Sequence, residues 1–330
     1  MITFFFRNNR SGAFSIEELF HTIQKELPTD CTFQSKNVPT AGTKPLNLLL
    51  NINFSRQHQT MVNHITGDIH YVALGLPANK TILTIHDLRI LELGNPLRQY
   101  LLKLIWFTLP VQQVRFITVI SEVIKKELLS NVQVKEHRVI VIPNCVSPAF
   151  IFIPKEFRQS SPVILHIGTK ENKNLERLIS AIEGIKCHLR IIGKLKLQQQ
   201  ELLTKHTIDY SNVCDLKFSE IVEEYQKSDL ISFVSLYEGF GMPIIEAQAT
   251  GRPVITSNCS SMPEVAGDGA LLVDPTSVEQ IRDGILRLIE DEDLRYDLIQ
   301  KGLENVKRFD AKLIAEQYAA LYRKIADENA

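Results

Sequence analysis

Short β-forming apolar runs alternate with amphipathic helical stretches along the whole chain, and no other feature limits its fold as much. In the first half the runs lie at 2–6, 46–52, 81–85, 116–120 and 139–142. In the second they lie at 163–167, 189–192, 230–234, 253–256 and 270–273. Helical spacing fills the gaps, most clearly at Ile16, Leu19, Phe20, Ile23 and Leu27, and again at Leu175, Leu178, Ile179 and Ile182. A further helix follows from Val278, Ile281, Ile285, Leu288 and Ile289. Strands that are apolar throughout are buried on both faces, and joined through helices they predict parallel, doubly wound α/β sheets. A chain of 330 residues accommodates two such sheets better than one.

The division is expected where these signals fade. Segment 144–162 (NCVSPAFIFIPKEFRQSSP) holds Pro148, Pro154 and Pro162 and is the linker candidate. It gives a first domain at 1–155 and a second at 156–309. The helix that begins at Asp310, with apolar positions Ile314, Tyr318, Leu321, Tyr322 and Ile325, is expected to pack back on the first domain.

Charge is divided unevenly. Residues 1–150 carry 15 basic and 10 acidic side chains and residues 151–330 carry 22 and 28, within an overall net charge of −1. A basic first half suits an anionic acceptor or a membrane surface, and ordinary surface variation explains it equally well. Five cysteines without a C-x-x-C read as reduced thiols, with no metal framework. The opening MITFFFRNNRSG lacks the basic leader and apolar length of a signal peptide. No apolar run reaches the ~18 residues of a membrane span. These features point to a cytoplasmic protein. Residues 99–111 (QYLLKLIWFTLPV) read as a buried helix, with a membrane-surface element as the alternative.

In open α/β sheets ligands sit beyond the carboxyl ends of the strands, so the polar residues there carry the functional signal. The densest is at 235–253, SLYEGFGMPIIEAQATGRP. An apolar run feeds the turn at Gly239 and Gly241, and Pro243 then opens a helix that closes at Gly251. Glu238 precedes the turn and Glu246 lies inside the helix. Backbone amides at a helix N-terminus bind anions, and a carboxylate can accept from two vicinal hydroxyls at once. Phosphate beside sugar diols is the chemistry of a nucleotide-sugar. The plainer reading is a strained turn followed by a solvated glutamate, but this helix is too apolar for a surface one.

Other strand ends are weaker signals. The loop 7–15 offers Gly12, which suits either phosphate approach or a tight turn. His86 and Asp87 follow run 81–85, as a ligand contact or as a satisfied structural histidine and a helix cap. His64 is a lesser candidate, Ser121 reads as an N-cap, and Asn144 as a turn former or cleft contact. After run 163–167, HIGTKENKNLERLI places Gly168 at the turn and Lys170 and Lys173 beside it, Lys173 nearest the helix start. A lysine there is a diphosphate anchor or a solvated side chain.

The E-x7-E of EGFGMPIIEA, followed by GRPVI and SSMPEVAGDGALLVDP, closely resembles the retaining glycosyltransferases of family 4, the glycosyl transferases group 1. The resemblance extends to TILTIHDL at 81–88, VISEVIKKEL at 119–128, VIVIPNCV at 139–146, LHIGTKENKNLERLI at 165–179 and FDAKLIAEQYAALYR at 309–323, and is loose over the first 80 residues. It implies a GT-B fold, in which two doubly wound Rossmann-like domains face an interdomain cleft. It further implies a catalytic group of His86, Glu238 and Lys173. Glu238 and the amides of Gly239, Phe240 and Gly241 would hold the donor sugar and phosphates. Met242 and Pro243 would follow at the helix start, Glu246 would hold the ribose diol, and Gly168, Thr169, Lys170 and Lys173 would line the diphosphate side. His86 would face the sugar and Gly12 would lie in the loop near acceptor and phosphates. Thr169-Lys170 stands where the family often has an arginine, exchanging a bidentate fork for a point charge.

The function implied is metal-independent transfer of a hexose, mannose foremost, from a GDP- or UDP-sugar co-substrate to an acceptor hydroxyl, with retention. No other cofactor and no nucleic acid is expected. The acceptor would be a glycan or lipid-linked saccharide of cell-surface polysaccharide, with peripheral contact at the inner membrane face left open. The alternatives are a GT-B epimerase or phosphorylase, an inactive donor-binding protein, and a two-lobed solute-binding protein.

Overall fold

The computed structural model describes residues 1–8, 15–92 and 94–329. Two compact units divide the chain: Met1–Cys145 with Ala311–Ala330, and Val146–Asp310.

The first unit is built on a six-stranded, wholly parallel sheet of β1 (Ile2–Phe6), β2 (Phe33–Asn37), β3 (Val62–Ile65), β4 (Thr81–Ile85), β5 (Phe116–Val119) and β6 (Val139–Val141), in the order β2-β1-β3-β4-β5-β6. Its helices are α1 (Ser15–Glu26), α2 (Pro45–Gln57), α3 (Pro96–Leu102), α4 (Leu109–Gln112) and α5 (Glu122–Asn131). In the second unit β7 (Val163–Ile167), β8 (His188–Ile192), β9 (Tyr210–Val213), β10 (Leu230–Phe233), β11 (Val254–Ser257) and β12 (Leu271–Val273) form a second parallel sheet. Their order is β12-β11-β10-β7-β8-β9. Its helices are α6 (Leu175–Ala181), α7 (Leu197–Lys205), α8 (Phe218–Lys227), α9 (Met242–Ala249), α10 (Met262–Ala266), α11 (Val278–Glu290) and α12 (Glu292–Asn305). The final helix, α13 (Ala311–Glu328), belongs to the first unit.

Each unit is therefore Rossmann-like, and strand order fixes where each can bind a ligand. The path from β2 to β3 crosses β1, and the path from β9 to β10 crosses β8 and β7. The strand order reverses between β1 and β3 and between β7 and β10, and in sheets of this kind ligands bind beyond the carboxyl ends of the strands at such a switch point.

The two cores differ in how polar they are. In the second unit Ile164, Leu189, Leu230 and Ile255 of the strands meet Leu178, Ile281, Ile285 and Leu288 of the helices. In the first, Phe4, Phe6, Phe20 and Ile82 pack against Ile314, Tyr318 and Tyr322 of α13. Inside that aromatic core lies a polar chain. His64 Nδ1 contacts Tyr322 OH and Nε2 contacts Thr84 Oγ1, both at 2.7 Å, and Thr84 Oγ1 meets Thr118 Oγ1 at 2.6 Å. Burial drives the His64 pKa down to about 3, so the ring is neutral. His64 is a packed structural residue.

Several expectations are corrected. Run 46–52 forms part of α2, because Pro45 stands at the helix start and leucine favours helix as much as strand. Segment 146–155 falls with the second unit, since Arg252 Nη1 donates to Ile153 O at 3.0 Å and Phe150 packs edge-on against Phe218 and Tyr225. Residues 99–111 are buried on one side only. They run from α3 through a π-helical turn, Lys103–Thr108, into α4. Leu102, Trp106, Phe107 and Val111 are buried, while Tyr100 and Leu101 are exposed. Among the described residues no helix is long and apolar enough to cross a membrane.

Candidate functional site

The switch point of the second sheet gathers most of the residues singled out from sequence. β7 is followed by Gly168, whose φ of +94° is a conformation that side chains resist. A Cβ there would lie 2.8 Å from Lys173 Cγ, so the bare glycine also makes room for the lysine stem. The turn Glu171–Lys173 then brings Lys173 back over the strand ends, with Nζ 4.7 Å from the centre of the Phe233 ring. Nζ bonds Glu238 Oε1 at 2.7 Å, and both side chains are mostly buried. Sixty-five residues apart in sequence, the candidate phosphate anchor and the candidate sugar ligand form one ion pair.

Asn172 stitches the same two loops together. Its Nδ2 donates to Tyr237 O and to Glu238 Oε1, each at 3.2 Å, and its carbonyl accepts from Leu236 N at 2.8 Å. Asn174, buried and left-handed at φ +61°, donates to Val234 O at 2.9 Å and to Pro275 O at 2.7 Å. Beyond β11, Ser260 Oγ and Ser261 Oγ donate to Glu238 O at 2.6 and 2.8 Å, and Ser261 Oγ also reaches Phe240 O at 2.7 Å. These bonds fix the backbone of the Glu238–Gly241 turn while its carboxylate stays directed at Lys173.

Gly241, at φ +113°, precedes α9, and Met242 and Pro243 occupy its first turn. α9 buries Ile244, Ile245, Ala247 and Ala249, so its N-terminus is held by the core beneath it. The Phe240 ring is itself core, edge-on to Phe309 with centroids 5.6 Å apart. Glu246, one turn into α9 and partly buried, accepts a hydrogen bond on Oε2 from Tyr225 OH of α8. Burial pushes its carboxyl up to about 7, against the opposing pull of the Tyr225 hydroxyl and the positive field of Lys173. Arg252 holds α8 in place for this contact. Its buried guanidinium donates to Tyr225 O at 3.2 Å, Gln226 O at 2.9 Å and Thr250 O at 3.0 Å.

On the other side of Lys173, Thr169 Oγ1 donates to Lys194 O at 2.6 Å, and its carbonyl accepts from the buried Gln199 at 2.9 Å. Thr169 thus shapes the loop with its backbone and has spent its hydroxyl. The Lys170 side chain is exposed.

His86 lies in the first unit, at the end of β4. Its Nε2 is 2.7 Å from Thr66 O, and a carbonyl only accepts, so Nε2 carries the hydrogen and Nδ1 is left as an acceptor. Burial lowers its pKa, which keeps the ring neutral. Gly12 lies outside the described residues. Asn172, Tyr225, Arg252, Ser260 and Ser261 were not legible as site residues. Tyr225 lay in no stretch singled out from sequence, whereas Asn172 in LHIGTKENKNLERLI, Arg252 in GRPVI and Ser260 and Ser261 in SSMPEVAGDGALLVDP stood inside recognised stretches without being marked as site residues.

The arrangement presents one ammonium group, the carboxyl groups of Glu238 and Glu246, the second with its pKa raised by burial, and the amides of a helix start. It can neutralise a diphosphate and accept hydrogen bonds from hydroxyls on either side of it.

Residues 149–305 match the family model described as glycosyl transferases group 1. Among curated relatives, the uncharacterized glycosyltransferase MJ1178 of Methanocaldococcus jannaschii is 27% identical over 253 residues, covering 74% of this chain and 69% of that protein. O-antigen chain mannosyltransferase B of Escherichia coli is 41% identical over 85 residues, covering 26% of this chain and 22% of its own length. Among solved structures, Anabaena HepE in complex with UDP and glucose superposes with a TM-score of 0.78 at 14% identity, over 98% of this chain and 99% of that one. A likeness at that identity speaks for the fold alone.

Proposed function

This chain belongs to the group 1 glycosyl transferases and has their GT-B fold, and from that premise we propose that it moves a hexose from a nucleoside diphosphate to an acceptor hydroxyl with retention of configuration. Mannose is the sugar favoured by the mannosyltransferase among its relatives, and a glycan or lipid-linked saccharide is the acceptor class. The observation that carries the reading is the Lys173–Glu238 pair at 2.7 Å, at the switch point and beside the start of α9.

In this mechanism the diphosphate takes over Lys173, and the amides at the Gly239–Met242 turn join in holding the charge that grows as the bond to the sugar breaks. Glu238, released from the lysine, accepts from sugar hydroxyls. Glu246 accepts from the ribose diol on the oxygen that Tyr225 leaves open. The acceptor oxygen attacks from the face of the departing diphosphate, and a phosphate oxygen takes its proton. His86, neutral and with Nδ1 bare, can accept from a hydroxyl but cannot serve as an acid. The reading assigns the phosphate charge to Lys173 and the helix start.

The test is nucleoside diphosphate release from a panel of GDP- and UDP-sugars, with and without oligosaccharide acceptors, followed by NMR assignment of the product anomer. Release with at least one donor and an α product from an α donor is expected. Donor-induced stabilisation without release from any donor would leave a donor-binding protein instead.

A further inference from the structure

The switch point of the first sheet holds a separate cavity of about 490 Å³, lined by Arg7 and Asn8 after β1, by the loops that leave β2, β3 and β4, and by the π-helical turn. That volume lies inside the roughly 300–1,000 Å³ range of small-molecule sites. Its inner wall is apolar and buried, with Tyr71 and Trp106 in edge contact at 5.0 Å, and its mouth carries the exposed carboxylates of Asp68 and Asp87.

The wall is locked by reciprocal bonds. Trp106 Nε1 donates to Asp68 O at 2.8 Å, and His70 Nδ1 donates to Trp106 O at 2.9 Å. Asp68 is left-handed at φ +52°, a strained setting for a residue with a side chain, and Trp106 stands on a π-turn. Both features concentrate at binding sites. Asn51, fully buried, donates to Tyr71 OH at 2.8 Å and to Thr40 O at 2.9 Å, tying the β2 loop to the same wall.

The charge of the cavity decides what it can hold. Arg7 is the one arginine or lysine among the described lining residues, and its guanidinium is fully engaged. Nε and Nη2 grip Glu17 at 2.7 and 2.9 Å, and Nη1 bonds Asp68. His70 is buried and neutral. A phosphate entering here would meet two carboxylates and would have to displace an arginine from both of its partners. A pyranose suits the same surfaces, since its hydroxyls can donate to Asp68 and Asp87 while its C–H face covers the aromatic wall.

We propose that this cavity binds a neutral pyranose ring of the acceptor and rejects phosphorylated sugars. The inference rests on the transferase reading given above, and it sets aside the anionic acceptor that the basic first half suggested.

Trp106 is the only tryptophan of the chain, so its emission reports the cavity directly. The full chain, without nucleotide, is titrated with mannose, an α-linked mannobiose and glucose, and in parallel with mannose 6-phosphate and glucose 6-phosphate. A saturable change with a neutral sugar is expected, with half-saturation at least about tenfold tighter than for its phosphate ester. Asp87→Asn, at an exposed position that leaves the melting temperature unchanged, should weaken the neutral sugar about threefold to tenfold and narrow the discrimination. Equal or tighter binding of the esters overturns the proposal. So does a silent Trp106 in a preparation that turns over donor and acceptor, and that result leaves the transferase reading standing. Sugar binding by a chain that releases no nucleotide from any donor upholds the cavity's ligand class and overturns the transferase reading instead.

Discussion

On the proposed ribose contact, the Glu246 carboxyl should make donor affinity depend on pH in a way that can be worked out beforehand. Burial lifts it from an ordinary 4.5 to about 7. Ionised carboxylate accepts strongly from a ribose diol, whereas the protonated acid offers a hydrogen of its own and a weaker acceptor. With a value near 7, the ionised fraction rises from about a tenth at pH 6 to about nine tenths at pH 8. The dissociation constant for a nucleoside diphosphate should therefore fall about tenfold over that interval. Burial lowers the His86 pKa, which favours its neutral form over the same interval. The same carboxyl sets a stability trend. Its folded-state value is raised, so its contribution is fully present below pH 4.5 and is lost as pH climbs to about 7. The total is about 3 kcal/mol, at about 1.4 kcal/mol per pH unit. Isothermal titration calorimetry at pH 6, 7 and 8 and urea melts at pH 4.5 and 7.5, each repeated on Glu246→Gln, measure both effects. Donor affinity that stays flat in the wild type, or that keeps its slope in Glu246→Gln, refutes the assignment of Glu246 to the diol.

Other expectations follow from the same geometry. Glu238→Gln frees Lys173 from its partner, so the nucleoside diphosphate should bind several-fold more tightly while sugar transfer falls by about 100-fold; parallel loss of both would show that Glu238 does not compete for the lysine. Gly168→Ala must hold a side chain at φ +94° and place Cβ 2.8 Å from Lys173 Cγ, costing about 2 kcal/mol in denaturant melts and moving the lysine off the phosphate site. Tyr225→Phe removes a donor to Glu246, so the midpoint of the pH-dependent affinity should move upward. Arg252→Lys leaves the carbonyls of Tyr225 and Gln226 in α8 and of Thr250 just past α9 unpaired and should cost roughly 2–4 kcal/mol, read from the urea midpoint at unchanged m-value.

The fold class and the position of the Glu238–Gly241 turn were written locally. A strand buried on both faces is an unbroken apolar run, and a proline behind a glycine turn marks a helix start, whatever surrounds them. Those rules located β1, β4, β5, β6, β7, β8, β10, β11 and β12, and they located Glu238, Pro243 and Glu246 as a unit. They fail where burial and composition part company. β2 and β9 are edge strands that expose alternate residues, Phe33, Ser35 and Asn37 differing from their neighbours, so no apolar run marks them. β3 is fully buried yet carries Asn63 and His64, whose polarity is satisfied by partners such as Tyr322, 258 residues away from His64.

Strand order was beyond the sequence for the same reason, because adjacency of β1 with β3, or of β7 with β10, is set by packing of whole layers. With it went everything that depends on adjacency. Glu238 and Glu246 announced a turn with two carboxylates. Only the tertiary structure paired the first with Lys173 and buried the second against Tyr225 until it holds its proton near neutrality. Charge and burial are properties of surroundings, and the surroundings come from residues far along the chain.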